Sequence, residues 1–279
     1  MHVSIATANV NSLRPDKFAR DPALVSGRAQ LLELSFDLAG LDCIGLQEGR
    51  IPNSQRKSGI VFEMLISGST ASGCYGSQLW IRRCPSVIIQ SWICHSPRHM
   101  DAVCVYPAVN QVVHYISGHA PHELDPDETG KDLFWQRIHD SCKEALSKQR
   151  TSVLLIDANA RVGEVTCGSI GGIAAEKENK NGARFRDTLS GLQLCAFNTF
   201  VDAGYTWRSN YDTVHRIDYI CGPLFTFDWI SNTRVLQDLE LSTAGREDHR
   251  CVASTLSLPV ASSPNRDADN IASKKSCQL

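Results

Sequence analysis

The chain has 279 residues, of which 42% are hydrophobic, and this is enough to bury a large core in one α/β domain or in two smaller domains. Its 28 Lys and Arg residues are balanced by 30 Asp and Glu residues, which excludes a histone-like or arm-like DNA binder. A polyanion would have to be bound by a local cluster of basic residues.

The eleven cysteines contain no C-x-x-C pair, which argues against a disulfide framework and against a thiolate zinc site. Reduced thiols are typical of the nucleus and the cytoplasm, so a nuclear or cytoplasmic protein is expected. No apolar run reaches the ~18 residues that a membrane span needs, and no membrane partner is predicted.

Strands are predicted where short apolar or alternating segments are bounded by turn residues. In chain order they cover residues 2–8, 43–47, 60–66, 74–82, 86–93, 101–106, 111–118, 152–156, 215–221, 233–238 and 251–257. Helical spacing of apolar residues is found in fewer places. It predicts helices at 26–39, where Ser26 is the candidate N-cap, at 129–148 and at 183–193.

Many strands, several of them consecutive, and few helices favour an α/β (α+β) domain in which sheets pack on each other and helices lie outside. The domain is predicted to cover residues 1–258. Residues 259–279 are rich in Pro, Ser, Asn and charge, and they are predicted to be a disordered tail or a linker.

Polar side chains recur at the margins of these hydrophobic segments. Asp157 and Asn159 follow the apolar run VLLI at positions i and i+2, which point to one face if the strand persists. The same pattern recurs at Asn9, Glu48, His119, Asp218, Asp248 and His249. Sheets place such margins along a shared edge, so these side chains are expected to meet in one site.

The predicted site is rich in carboxylate and amide oxygens and contains no cysteine. Such ligands suit Mg²⁺ or Mn²⁺, which usually bind one or two carboxylates together with a substrate phosphate. A hard cation, amide donors and an imidazolium would stabilise the charge that spreads over a phosphoryl group during in-line displacement. The composition therefore indicates phosphodiester chemistry.

Seven segments carry a family resemblance: TANVNSL, LQEGR, SGHAPH, LIDANARVG, YTW, RIDYI and EDHR. In this order they resemble the motifs of the endonuclease/exonuclease/phosphatase superfamily, from residue 3 to about residue 257. The resemblance implies a four-layer sandwich of two packed mixed β-sheets flanked by helices. It also implies a divalent metal bound by Glu48, with Asp248 near the metal and Asn9 positioning Glu48 or the metal shell.

The resemblance assigns the remaining roles. Asp157 would orient or deprotonate the attacking water, and Asn159 would hold the phosphate. Asp218 would pair with His249, fixing its tautomer and favouring its charged form. His119 stands where the abasic-site endonucleases have a tyrosine; a histidine there can donate to the phosphate or protonate the leaving oxygen.

The stretch YTWRSNYDTVHRIDYI resembles the endonuclease domains of non-LTR retrotransposons and the craniofacial-development-protein-like sequences. The predicted partner is DNA, which the turn at 208–214 would probe, and a longer polyprotein with reverse transcriptase and a monomeric state are expected. Trp207 would stack on a base or pack under the turn, and Arg208, Arg161 and Arg216 would contact phosphates. They belong to a wider predicted rim that also includes Arg50, Arg184, Arg186, Arg246 and Arg250.

Three functions therefore remain open. The first is a Mg²⁺-dependent DNA endonuclease that nicks one strand and leaves a 3′ hydroxyl. The second is a phosphatase or phosphodiesterase of the same superfamily that acts on a small or lipid phosphate, and the third is a catalytically inactive DNA-binding descendant. Five histidines are interpreted as having no catalytic role: His95, His99, His114, His122 and His139.

Overall fold

A computed structural model describes residues 1–13, 27–241 and 248–261 of the chain. The candidate cap Ser26, the predicted rim residue Arg246 and most of the predicted tail, 262–279, lie outside the described residues. None of the helices in the described ranges is both long enough and apolar enough to cross a lipid bilayer.

The described part of the chain contains fifteen strands and three α-helices. The strands are β1 (His2–Asn9), β2 (Cys43–Gln47), β3 (Gln55–Ser58), β4 (Phe62–Ile66), β5 (Gln78–Arg82), β6 (Ile88–Ser96), β7 (His99–Tyr106), β8 (Gln111–His119), β9 (Thr151–Asp157), β10 (Leu194–Ala196), β11 (Trp207–Arg208), β12 (Val214–His215), β13 (Asp218–Pro223), β14 (Ile230–Val235) and β15 (Val252–Ser257). The helices are α1 (Arg28–Leu38), α2 (Glu128–Ser147) and α3 (Lys180–Gly191).

Two large mixed sheets form the centre of the fold. The first sheet has seven strands in the order β14-β15-β1-β2-β5-β4-β3, and the second has six in the order β10-β13-β9-β8-β7-β6. Each is mixed because the pairs β1–β2 and β8–β9 are parallel and the other pairs are antiparallel. The strands β11 and β12 pair separately as a short hairpin.

Alternating side chains of the two sheets pack against each other to form the central core. Ile5, Leu79 and Ile81 of the first sheet meet Tyr115 and Leu155 of the second. The strand β9 is buried along its whole length, since it is central in its sheet and is covered on both faces. This explains why its sequence is a continuous apolar run rather than an alternating one.

Helices cover the outer face of each sheet. Phe36 of α1 packs on Ile44 and Trp80 of the first sheet, and Ile138 of α2 packs with Ile116 of the second. Asp127 caps α2 by accepting from Gly130 N, and Asn179, whose side chain accepts from Gly182 N at 2.7 Å, caps α3. The predicted four-layer sandwich of two mixed sheets flanked by helices is therefore confirmed.

Three short strands, β3, β10 and β11, lie outside the predicted segments, and β12 overlaps the predicted segment 215–221 only at His215. The edge strand β3 has the sequence QRKS with all four residues exposed, so it lacks the alternation that identifies a strand. The strand β10 has three residues and each strand of the β11–β12 hairpin has two, lengths at which no period can be recognised.

Gly45 of β2 lies where this strand closely approaches Leu155 of β9 in the other sheet. A Cβ atom added to Gly45 would lie 2.5 Å from Leu155 Cβ on β9, which no rotamer change can relieve. We expect Gly45→Ala to destabilise the fold by about 1–3 kcal/mol because the sheets must separate. Urea unfolding followed by circular dichroism measures this.

Gly191→Ala is the matched control, since a Cβ there meets nothing within 4 Å and the residue is the last of α3. It should be neutral or stabilising by up to about 1 kcal/mol. Equal stability of the two variants would contradict the close approach of the sheets at Gly45.

Candidate active site

The pairing of three strands places three of the predicted residues side by side. In the parallel pair β8–β9, His119 lies opposite Asp157. In the antiparallel pair β13–β9, Asp218 lies opposite the same Asp157. Residues directly opposite each other in adjacent strands project to the same face. The second sheet therefore ends in the row His119, Asp157 and Asp218.

Asn9 connects this row to the first sheet. It is the last residue of β1 and is paired with Gln47, so that Glu48 follows directly beside it. The Asn9 Nδ2 atom donates to Asp157 Oδ2 at 3.0 Å and lies 3.4 Å from Glu48 Oε1. One amide thus holds the two carboxylates, which come from different sheets, at the same place.

Glu48 is more exposed than Asp157 and Asp218, with 21% of its side chain accessible. Its backbone has φ 55°, a left-handed conformation that turns the chain at the end of β2. Burial raises the pKa of Glu48, but the charge that His119 carries at acid pH, the charge of Arg50 and hydrogen bonds from Arg50 and Asn9 outweigh this and hold the pKa below its ordinary value. Glu48 is therefore an ionised carboxylate at the mouth of the site.

Asp157 is buried, with 1% exposure, and has a partner on each oxygen. Its Oδ1 accepts from the Asn159 backbone N–H at 3.0 Å, and its Oδ2 accepts from Asn9. Burial and the neighbouring charge of Asp218 raise the pKa of Asp157, against the opposing charges of His119 and His249. A carboxylate of raised pKa is a stronger base than one in water.

Two imidazoles face the same oxygen of Asp157. His119 Nε2 lies 3.7 Å from Asp157 Oδ2, and His249 Nε2 lies 3.9 Å from it. These separations are longer than hydrogen bonds, and a polar contact of this length leaves room for a bridging oxygen atom. Burial lowers the pKa of His119, although the charge of Asp157 opposes this effect, so His119 is neutral at pH 7.

Asp218 and His249 form a buried dyad. His249 Nδ1 lies 3.1 Å from Asp218 Oδ2, and the exposed fractions of the two residues are 7% and 0%. Burial lowers the pKa of His249, but the charge and hydrogen bond of Asp218 and the charges of Asp157 and Asp248 raise it to about 10. His249 therefore carries a positive charge at pH 7, with Nε2 directed towards Asp157.

Thr206 joins the two parts of this dyad and was not singled out from the sequence. Its hydroxyl accepts hydrogen bonds from the backbone N–H groups of Ile217 and Asp218 at 3.0 and 3.1 Å. Its carbonyl accepts from Arg250 N at 2.7 Å, directly after His249. The threonine of the YTW motif thus fixes the distance between the acid and the imidazole.

Asn159 lies beside Asp157 in a loop that is held by side-chain amides. Its φ is 45°, and its Nδ2 donates to the Ala120 carbonyl at 3.0 Å. Its own carbonyl accepts from Asn179 Nδ2 and Asn181 Nδ2 at 3.2 and 3.3 Å. One hydrogen of the Asn159 amide is used in this way, and the second is available to a ligand.

A buried polar layer beneath the site was also missed from the sequence. Gln47 is fully buried, and its Nε2 donates to Thr7 Oγ1 at 3.1 Å, to Ser117 Oγ at 3.4 Å and to the Leu155 carbonyl at 3.3 Å. These acceptors come from both sheets. The layer fixes the offset between the sheets directly under Asn9 and Glu48.

Arg98 is a further residue that sequence reasoning did not identify. Its Nη1 donates to the carbonyls of His119 and Ala120 at 3.1 and 3.2 Å, and its guanidinium carbon lies 3.5 Å from the centre of the Tyr75 ring. The Tyr75 ring meets the His119 ring edge-on at 5.8 Å. Arg98 and Tyr75 together fix the orientation of His119.

An acidic and histidine cluster in the site has the composition of a metal site. Ligand atoms of Asp157, Asp218 and His249 lie within 4.8 Å of one another. Glu48 offers a further oxygen, but in this arrangement its Oε2 is paired with Arg50. Asp248 is half-buried, and its charge contributes to the raised pKa of His249.

The residues predicted to contact DNA fall into two groups. The prediction for Arg216 is wrong: its side chain is 2% exposed, and its Nη1 donates to the carbonyls of Ile173 and Asn198 at 2.9 and 3.0 Å. A guanidinium held in this way supports the loop and does not face a phosphate. Arg184 is paired with Glu128 and Asp132 of α2, and Arg186 is paired with Glu178, just before α3, and with Asp187 of α3.

The other predicted contacts lie around the β11–β12 hairpin or near Asn159. Arg208 is 43% exposed and donates to Tyr205 Oη at 2.7 Å. The ring of Trp207 is stacked on His215, with centroids 5.7 Å apart and 3° between planes. Arg161 is 36% exposed and lies 3.8 Å from Glu123. These three side chains remain accessible beside the site.

Neither a protein-family model nor a curated protein matches the sequence. Solved structures do match the fold. The endonuclease domain of TRAS1, a telomere-specific non-LTR retrotransposon, has a TM-score of 0.62 and 17% identity, over 92% of this chain and 99% of that chain. The 3′ phosphatase NExo from Neisseria, bound to a product DNA hairpin, has a TM-score of 0.65 and 16% identity, over 90% and 98%.

The AP endonuclease LMAP from Leishmania major is similar to the same extent, with a TM-score of 0.67 and 12% identity over 92% of this chain and 88% of that chain. These proteins share the fold of the endonuclease/exonuclease/phosphatase superfamily, and this chain has the same fold. The resemblance that the sequence motifs indicated is therefore confirmed at the level of the fold.

The charge state of His249 gives a testable prediction. We expect Asp218→Asn to lower the pKa of His249 by at least about one pH unit, because it removes the largest of the effects that raise it. The His249 Cε1 proton, followed by NMR across pH, measures this value. Asp248→Asn is the control and should lower the pKa less, since Asp248 contributes least among these carboxylates.

The Asp218–His249 pair should also contribute to the pH dependence of the free energy of unfolding. A folded pKa of about 10 lies above the unfolded value of ~6.5, so the pair's contribution to the free energy of unfolding is complete below pH ~6.5 and is lost as pH rises through about 10. The wild type should therefore lose more stability than Asp218→Asn between pH 7 and 10. Equal losses would contradict a charged His249 in the folded protein.

Proposed function

We propose that this chain is a metal-dependent phosphodiesterase that nicks DNA and leaves a 3′ hydroxyl. The observation that carries the proposal is the arrangement around Asp157 Oδ2, a buried carboxylate oxygen that accepts from Asn9 at 3.0 Å and faces His119 and His249 at 3.7 and 3.9 Å. One basic oxygen between two imidazoles suits the attack of water on a phosphorus atom.

Asp157 takes the proton of the attacking water at Oδ2, because its raised pKa makes it a competent base. The charged His249 directs Nε2–H at a phosphate oxygen and stabilises the negative charge that develops there. Asp218 holds the proton on His249 Nδ1, so the imidazole presents Nε2 in a fixed orientation. The neutral His119 donates to a second phosphate oxygen or to the leaving oxygen.

The residues at the mouth of the site fit a hard divalent cation. Glu48 is ionised and carries a guanidinium and an amide on its two oxygens, so positive charge already occupies this position. Glu48, with Asn9 beside it, and Asp248 would hold Mg²⁺ or Mn²⁺, and Arg50 would release the carboxylate. When bound, the ion would polarise the phosphate and neutralise the charge on the leaving oxygen.

A nucleic acid is the favoured substrate because of the hairpin that lies beside the site. Tyr211 at its tip is 91% exposed, and Arg208 at its base is 43% exposed. An exposed aromatic ring can stack on a base while a guanidinium on the same hairpin contacts the backbone. A small or lipid phosphate would use neither residue.

A DNA substrate also bears on the compartment, the oligomeric state and the polyprotein context of the chain. We propose a nuclear or cytoplasmic protein that binds DNA as a monomer and belongs to a retrotransposon polyprotein with reverse transcriptase. The TRAS1 endonuclease domain among the similar structures comes from a retrotransposon and supports that part of the assignment. A reverse-transcriptase reading frame beside the coding sequence would be the genomic test.

The activity is tested by incubating supercoiled plasmid with the protein and Mg²⁺. Open circles should form, and EDTA should abolish them. Asp157→Asn keeps the shape of the side chain but removes the base, so the rate should fall at least about 100-fold. Asp187→Asn, an acid on α3 that is 68% exposed and pairs with Arg186, should nick at the wild-type rate.

Two other outcomes would overturn the proposal. Turnover of an inositol phosphate without nicking would indicate the phosphatase or phosphodiesterase alternative. Retained DNA affinity without turnover of either substrate, with an intact fold, would indicate an inactive DNA-binding protein.

The hairpin contact predicts a specific salt dependence. In an Asp157→Asn background, Arg208→Ala should weaken DNA binding and reduce the slope of log K against log salt concentration by about 1, because one phosphate contact is lost. Fluorescence anisotropy at several salt concentrations measures the slope. Arg184→Ala is the control, since Arg184 is paired with Glu128 and Asp132, and its slope should be unchanged.

A further inference from the structure

A second cluster of titratable side chains lies outside the candidate active site, on the outer face of the second sheet beneath α2. Asp101 is 4% exposed and lies at its centre. His95 Nε2 lies 3.0 Å from Asp101 Oδ2, His99 Nε2 lies 2.9 Å from Oδ1, and His114 Nε2 lies 3.2 Å from Oδ2. The same ring nitrogen of three histidines thus faces one carboxylate.

A β-bulge brings His95 into this cluster. In the β6–β7 pair, Cys94 lies opposite Met100 and Ser96 lies opposite His99, so His95 is an extra residue without a partner. Bulges of this kind redirect a side chain, and they are common next to functional sites. His95 here turns towards Asp101, and its ring stacks on that of His99 with centroids 4.4 Å apart.

The distances in the cluster suit a transition metal as well as hydrogen bonds. Zinc binds imidazole nitrogen and carboxylate oxygen at ~2.0–2.2 Å, which places two ligands of a tetrahedral centre about 3.3–3.5 Å apart. The ligand atoms of His95, His99 and Asp101 all lie within 4.8 Å of one another. Small movements of the partly exposed His95 would open the space for an ion.

The chemistry of the donors selects the type of ion. Two or three imidazoles and one carboxylate suit Zn²⁺ rather than Mg²⁺, which prefers oxygen ligands. His95 is 31% exposed and provides a path from solvent, whereas His99 is 1% exposed and forms the buried side of the cluster. The hydroxyl of Ser141 on α2 lies 3.2 Å from His99 Nε2, and Glu144 and Arg137 of α2 also face His95.

We propose that His95, His99 and Asp101 form a binding site for Zn²⁺ or a similar transition-metal ion, distinct from the candidate active site. The ion is held by His95 Nε2, His99 Nε2 and one carboxylate oxygen of Asp101, with His114 beside them. It ties the bulge of β6 to β7. The site does not depend on the function proposed for Asp157 and Glu48.

The test measures zinc directly. Metal-free protein is dialysed against Zn²⁺ in the presence of millimolar Mg²⁺, and the bound zinc is determined by mass spectrometry. We expect about one zinc per chain in the wild type. A Glu48→Gln, Asp157→Asn double variant should bind the same amount, because both substitutions lie in the other site.

His95→Ala should weaken zinc binding at least about tenfold, a loss typical of residues around a bound metal. His139→Ala is the matched control, because His139 is also 31% exposed and lies 3.4 Å from the carboxylate of Asp140. The His139→Ala variant should bind zinc as the wild type does. Equal affinity of the two variants, or zinc binding that the double variant loses, would overturn the proposal.

A second readout uses the wild type alone. Co²⁺ in place of zinc should give the intense visible absorption of a four-coordinate centre, and zinc should displace it. No absorption and no bound zinc would show that the cluster is a hydrogen-bonded network without an ion.

Discussion

The site depends on the burial of two carboxylates in adjacent strands. Asp157 and Asp218 lie directly opposite each other, and their exposed fractions are 1% and 0%. Two negative charges in such a place would destabilise the fold if they were left alone. A protonated His249 and the amide of Asn9 supply the compensating charge and hydrogen bonds, and both come from elsewhere in the chain. The fold must close around these carboxylates before the compensation exists.

Much of this arrangement could be predicted because the relevant signals are local. A strand that is buried on both faces is a continuous apolar run, and a polar residue at its end is visible in the sequence. Asp157, His119 and Asp218 were found in this way, and strand pairing then placed them side by side. The layered architecture followed from the ratio of strands to helices and from the order of the motifs.

The residues that were missed act through contacts that no local pattern reveals. Gln47 and Thr206 look like ordinary polar residues, yet each joins segments far apart in the chain. Arg216 is the first residue of the RIDYI motif, but its side chain turns inward to backbone carbonyls. His95 faces Asp101 because of a one-residue bulge in β6, and a bulge that reverses the direction of a side chain is not visible in the sequence of the strand.

Backbone contacts join the β11–β12 hairpin to the segment that carries the charged His249. Trp207 is bridged to His249, and Arg208 N donates to the Asp248 carbonyl at 2.7 Å. A molecule that tilts the loop at 208–214 would therefore also change the direction of His249 Nε2. Binding at the hairpin and alignment of the proton donor would be coupled in this way.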